Sequence, residues 1–217
     1  MPEHPTAVDS HLIERRVSGE KLLQGRFLQA WRDTVELPDG RTSTREYVVH
    51  PGAVVIVPLV DTPDGLKLVI ERQYRYPVGQ VMVEFPAGKL EPGERIYDCA
   101  WRELLEETGY RAAEWARVGM MHPVISYSTE FIDIWFARGL TAGDRALDEG
   151  EFLDVLLVSP EELLAWCRDG RVTDAKTLGC MLWLQNCLSG AWPLAWRSAG
   201  QCDAEEAVPT PRGNVGE

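Results

Sequence analysis

Residues Ala53 to Val60 form an almost unbroken apolar run. A run of that length without alternation suits a strand covered on both faces, so the chain must place layers on either side of a sheet. Further strand-like runs are Leu66 to Arg72, Val81 to Phe85, Ala116 to Met121, Phe131 to Ala137 and Leu153 to Val158. Helical patterns cover Arg95 to Glu107, Pro160 to Arg168 and a stretch from Thr173 or Asp174 to about Leu188. Ser159 is a good N-cap for the second of these, with Pro160 at the first helical position and Glu162 three residues after the cap. Ahead of them lie short β-type runs at Leu22 to Ala30, Thr34 to Leu37 and Thr44 to Val49, the last two joined across Pro38-Asp39-Gly40, a hairpin signal. The pattern predicts an α/β fold: a mixed sheet with helices on both faces, plus an N-terminal β-rich section. The expected organisation is a flexible arm over 1–21, an N-terminal β section over 22–50, a main domain over 51–189 and a poorly ordered tail over 190–217.

Composition narrows the partners. The 217 residues carry 34 acids against 22 bases, a formal charge of −12. That balance argues against nucleic acid or an anionic membrane as a partner, since both require a basic footprint. It leaves room for an anionic substrate if a divalent cation inverts the local field. The uninterrupted apolar stretch Ala53 to Val57, which no other stretch exceeds in length, is too short to span a bilayer. Five cysteines (Cys99, Cys167, Cys180, Cys187, Cys202) show neither a disulfide framework nor metal spacing, so they are expected to be small buried thiols of a cytoplasmic protein.

The segment Gly88 to Tyr110 carries the chemistry. With Glu103 at zero and about 100° per residue, Asp98, Arg102, Arg95 and Glu106 form an ordinary polar face. Glu103 and Glu107 fall inside the apolar arc made by Ile96, Cys99, Ala100 and Leu104. Like charges four residues apart repel, and partial burial disfavours their charged forms further. The pair is therefore protonated, or Glu103 faces a groove, or a cation sits there. With Glu106 at the border of both faces, three carboxylates at one helical level suit a hard cation such as Mg²⁺, which takes oxygen ligands. Glutamates clustered on a helix are most often a solvated face, but the flanking residues reverse that expectation here.

Gly88 is followed by five residues, Glu94, seven residues, then Arg102-Glu103-Leu104-Leu105-Glu106-Glu107-Thr108-Gly109-Tyr110. This resembles the Nudix box, G-x5-E-x7-R-E-U-x-E-E-x-G-U with U a bulky residue, and Tyr110 stands at the last U. The surrounding stretches Arg45 to Val54, Arg72-Gln73-Tyr74-Arg75-Tyr76-Pro77 and Glu84-Phe85-Pro86-Ala87-Gly88 are similar to the ADP-ribose pyrophosphatase branch of that superfamily. The likeness runs from about 22 to 188.

The resemblance implies a Nudix-like α/β/α sandwich and a Mg²⁺-dependent (or Mn²⁺-dependent) hydrolase of a nucleoside diphosphate derivative. Its metal ligands, carried over, are Glu103, Glu107 and the backbone carbonyl of Ala87. Glu106 lies close by with a catalytic role, and Arg102 orients a box carboxylate. Glu94 is expected to brace the loop against the helix. The general base of the branch falls on Glu130, although the loop ahead of it lacks the branch's Ser-Pro-Gly type stretch. The substrate-binding candidates are Phe27, Arg45, Glu46, His50, Arg75 and Glu84, and the resemblance implies a homodimer. Trp31, Trp101 and Trp135 are expected to pack. The expected reaction is cleavage of ADP-ribose or a related ADP-sugar to AMP and ribose 5-phosphate. Two alternatives remain at this point: hydrolysis of another nucleoside diphosphate derivative (a different sugar, a dinucleotide cofactor, an oxidised nucleotide), or binding of ADP-ribose without cleavage.

Overall fold

A computed structural model describes residues 9–147 and 150–203. The chain divides into two compact units, one built from residues 9–50 and 124–130, the other from 51–123 and 131–203.

The smaller unit is a three-stranded antiparallel sheet of β1 (Arg15–Gln24), β2 (Gln29–Glu36) and β3 (Thr42–Val49) in that spatial order. β2 and β3 join across the expected hairpin, where Gly40 takes φ +84° and the Leu37 N–H donates to the Arg41 carbonyl at 2.7 Å. Every residue of β1 is exposed. Strand β1 begins at Arg15, inside the stretch read as a flexible arm over 1–21. Its polar, weakly patterned side chains hid a strand whose order comes from its backbone ladder with β2. The single run Leu22 to Ala30 is really the end of one strand and the start of the next, broken where the Gly25 N–H turns back to the Leu28 carbonyl.

In the larger unit the chain runs through β4 (Ala53–Thr62), β5 (Gly65–Arg75), β6 (Gln80–Glu84), β7 (Ala87–Lys89), α1 (Ile96–Thr108), β8 (Tyr110–Met121), β9 (Ile132–Ala142), β10 (Leu153–Val158), α2 (Pro160–Arg168), α3 (Ala175–Leu188), β11 (Arg197–Ser198) and α4 (Ala199–Asp203). The sheet order is β10-β5-β4-β9-β8-β11, with β6 paired to β5 and β7 to β4. β4 and β9 are parallel while the other pairs are antiparallel, so the sheet is mixed.

Strand β4 is the central layer that its composition demanded. Val54 and Ile56 pack with Ile96, Ala100 and Leu104 of α1, whereas Val55 and Val57 pack with Leu163 of α2 and Cys180 and Leu184 of α3. Strand side chains alternate faces, so one apolar run serves both cores and the result is an α/β/α sandwich. α1 stops at Gly109, which takes φ +76° and donates its N–H to the Leu105 carbonyl at 2.8 Å. Ser159 and Asp174 cap α2 and α3 by accepting from the Glu162 and Thr177 N–H groups.

Two other expectations change. Trp101 is 39% exposed rather than packed, because it lies on the side of α1 away from β4; Trp135 is buried and Trp31 half-buried. The tail expected to be poorly ordered over 190–217 contains β11, paired to β8, and α4, whose Cys202 is buried in the α1-side core. The rest of that tail (204–217) and the first eight residues of the expected arm lie outside the described residues. Among the described residues, no helix is long and apolar enough to cross a membrane. The five cysteines are free, three of them buried.

Candidate active site

The box is folded as a strand, a turn and a helix. β7 pairs with β4 through Val55↔Ala87 and Val54↔Gly88, and α1 packs over the same strands. Glu103 and Glu107 thereby face the strand bearing Gly88 instead of solvent. The Glu103 side chain is 12% exposed and Glu107 is 4% exposed. A Cβ added at Gly88 would stand 1.7 Å from the Glu103 carboxylate, so glycine is required for that carboxylate to lie where it does. The Ala87 N–H donates to Glu107 Oε2 at 3.0 Å.

Arg102 is the organiser of this surface. Its guanidinium donates to Glu94 (2.8 and 3.0 Å), Glu103 (2.8 Å), Glu106 (3.0 Å) and the Lys89 carbonyl (3.2 Å). Glu94 also accepts from the Glu91 N–H at 2.9 Å, so it ties the loop to the helix. The hydrogen bond to Glu94, against the cost of burial, raises the Arg102 pKa. Burial opposes the charge on Glu94, yet Arg102 keeps its pKa below the ordinary value.

The inner carboxylates behave differently. Burial pushes Glu103 up to about 7, with Arg102 pulling the other way. Burial also raises Glu107 well above the ordinary carboxylate value, and the charges of Glu71, Glu103 and Glu151 add to the shift. Glu71 lies on β5 directly opposite Glu84 on β6. It is 3% exposed, its Oε1 has no hydrogen-bond partner, and burial followed by the Glu84 charge raises it to about 8. Glu84 accepts both Arg75 bonds (2.7 and 2.9 Å) and one from Lys176, which hold its pKa down despite burial. Lys176 also reaches Asp174 at 3.1 Å, and Gln73 donates to Glu151 at 3.0 Å.

A hard cation fits this donor set. The residues are oxygen donors, their charged forms are short of compensation, one buried carboxylate oxygen is unpaired, and the Gly88 surface is a cradle that any side chain would fill. Among the described residues, no group of three acidic, His or Cys side chains is gathered at ligating geometry; Arg102 bonds Glu103 and the Ala87 N–H bonds Glu107.

The structure brings Ala87, Arg102, Glu103, Glu106 and Glu107 together, and joins Arg75 to Glu84 as an ion pair. Phe27, Arg45, Glu46, His50 and Glu130 belong to the smaller unit. There Phe27 meets His50 edge-on with ring centroids 5.2 Å apart, and His50 Nε2 lies 3.7 Å from Glu130 Oε1. Arg45 donates to Glu14 at 2.9 Å and Arg32 donates to Glu46 at 2.9 Å. Sequence reasoning missed Glu71, Asp174, Lys176 and Glu151. Glu71 had a signal: it precedes Arg75 by four residues on one strand, so both side chains share a face.

The chain is similar to known proteins over most of its length. Residues 49–178 match the NUDIX domain model, and residues 14–48 match the nucleoside diphosphate sugar hydrolase N-terminal domain. A methanol dehydrogenase activator of Bacillus methanolicus is 39% identical over 180 residues, covering 79% of this chain and 92% of its own. An ADP-ribose pyrophosphatase of Bacillus subtilis (strain 168) is 36% identical over 176 residues, covering 80% and 94%. The crystal structure of an ADP compounds hydrolase superposes with a TM-score of 0.73 at 24% identity, covering 82% of this chain and 95% of that one, and establishes the fold.

Proposed function

The chain belongs to the Nudix family, and from that membership we propose that it is a divalent-cation-dependent pyrophosphatase of ADP-ribose or a related ADP-sugar. The observation that carries the reading is the burial of Glu103 and Glu107 on the face of α1 turned to Gly88, where charge is tolerated only beside a cation. Substrate choice is supported by the N-terminal domain match and by the ADP-ribose pyrophosphatase relative.

The proposed division of labour follows the chemistry. Glu103, Glu107 and the Ala87 carbonyl would hold Mg²⁺, or Mn²⁺ in its place. When bound, the cation neutralises the diphosphate and lowers the pKa of an attacking water. Arg102 keeps Glu103 and Glu106 in position, and Glu94 keeps Arg102 in position. Glu106 assists at the border of the cluster. Glu130 takes the proton of the water as it attacks phosphorus. The P–O bond of the anhydride breaks, and the two products are AMP and ribose 5-phosphate. Arg75, steadied by Glu84, approaches the phosphates; Phe27, Arg45, Glu46 and His50 contribute to binding the nucleoside. The protein is proposed to act in the cytoplasm as a homodimer.

Product analysis on ADP-ribose, with and without Mg²⁺, tests the reading. AMP and ribose 5-phosphate released only with the cation are the expected outcome. A folded protein that binds ADP-ribose and never cleaves it, or any of a panel of nucleoside diphosphate derivatives, would make it a sensor instead.

A further inference from the structure

We infer that Glu71 belongs to the carboxylate set that holds the divalent cation, contributed by the sheet where Glu103 and Glu107 come from the helix. This rests on the metal-dependent reading above. Glu71 follows Leu68, Val69 and Ile70, all fully buried, and is itself only 3% exposed. A carboxylate in that position is costly unless it is paired, hydrogen-bonded or coordinated. Its Oε1 has no partner. A protonated acid retained for structure would be expected to find one for a buried oxygen.

The neighbouring cations are committed elsewhere. Glu71 and Glu84 stand opposite one another on paired strands, an arrangement that repels unless one charge is neutralised. Arg75 clasps Glu84 with two hydrogen bonds, and Lys176 is shared between Glu84 and Asp174. Two cations therefore serve Glu84 and Asp174 by hydrogen bond, and neither donates to Glu71 Oε1. Glu84, opposite Glu71, is also three residues ahead of Ala87, whose N–H holds Glu107. The sheet thus supplies a buried carboxylate oxygen without a hydrogen-bond partner beside the segment that holds Glu107, and a divalent cation is the ligand that satisfies such an oxygen.

The test is Mn²⁺ binding by the full-length, substrate-free protein, measured by calorimetry and by the paramagnetic resonance signal of free Mn²⁺, for wild type, E71Q, E71D and E107Q. E71Q is expected to weaken Mn²⁺ binding about tenfold, and E71D by a smaller factor because it keeps the charge. The metal-free E71Q protein is expected to melt at or above the wild-type temperature, since the substitution removes a crowded charge. Wild-type Mn²⁺ affinity in E71Q, alongside loss of binding in E107Q, would overturn the assignment of Glu71 and leave the helix site intact. If wild type itself binds no Mn²⁺, the metal-dependent reading falls together with this inference. Should E71Q fail to fold, E71D decides, and an affinity equal to wild type overturns the assignment.

Discussion

The two units handle their acidic residues in opposite ways. In the N-terminal unit the acids pair with arginines: Arg32 with Glu46 and Glu20, Arg45 with Glu14, Arg41 with Asp39. These pairs are largely solvated and contribute little beyond solubility and local order. Asp33, buried in the same unit, receives both Arg16 and the Tyr47 hydroxyl at 2.9 Å on Oδ2, while its Oδ1 has no hydrogen-bond partner. In the larger unit Glu71, Glu103 and Glu107 are buried: Glu103 shares Arg102 with Glu94 and Glu106, Glu107 accepts one backbone N–H, and Glu71 Oε1 has no hydrogen-bond partner. A fold under selection for stability alone has little reason to keep such a group.

The sharpest way to break that contrast is to remove one inner charge. Glu107→Gln is expected to lower turnover on the order of a thousandfold while the protein stays folded, measured as AMP release under saturating Mg²⁺. Turnover close to wild type would remove Glu107 from the site.

Gly88→Ala comes next. Its new Cβ would occupy the position of the Glu103 carboxylate, and that flexible side-chain end must swing aside. The expected result is a loss of about a hundredfold in turnover with melting little changed, because a displaced ligand harms catalysis more than packing. A large fall in melting temperature would instead make the glycine a packing requirement.

The pH dependence of stability sharpens the comparison further. Unfolded glutamates titrate near 4.5, whereas Glu103 is raised to about 7, Glu71 to about 8, and Glu107 also upward, all chiefly by burial. Between those limits the folded protein retains protons that the unfolded chain has lost. Metal-free stability should therefore fall as pH rises from about 5 to 8, and Mg²⁺, which binds the charged forms, should restore it. The melting-temperature gap with and without Mg²⁺ is expected to widen by about 3 °C or more between pH 6 and pH 8. A metal-free melting temperature that rises across this range would contradict the picture. The smallest effect belongs to the paired set: Asp39→Ala loses its bonds to Arg41 and should move melting by less than about 2 °C with turnover unchanged.

Much of this was legible in the chain, and the reason is range. Helix α1, its closure at Gly109, and the position of Glu103 and Glu107 on its apolar arc follow from 3.6-residue periodicity. The two-sided burial of β4 follows from an apolar run without alternation. The spacing from Gly88 to Tyr110 places the carboxylates of the segment, because a helix sets its side chains by local geometry. β1 escaped notice because an exposed strand carries no burial pattern, only a backbone ladder. The order in the tail around Cys202 escaped it because that burial depends on a core assembled far away in sequence.

What the tertiary structure alone decided is who shares a carboxylate with whom. Arg75 was expected at the phosphates, and its clasp on Glu84 appears only when β5 and β6 pair in their observed register. Lys176 joins them from a helix 92 residues beyond Glu84. Glu71 meets Glu84 in the same way, only through the strand pairing that sets the two opposite one another. Sequence by itself determined which side chains one element presents on one face. Long-range register decided which of those charges are answered, since burial and repulsion are properties of neighbours that only folding supplies.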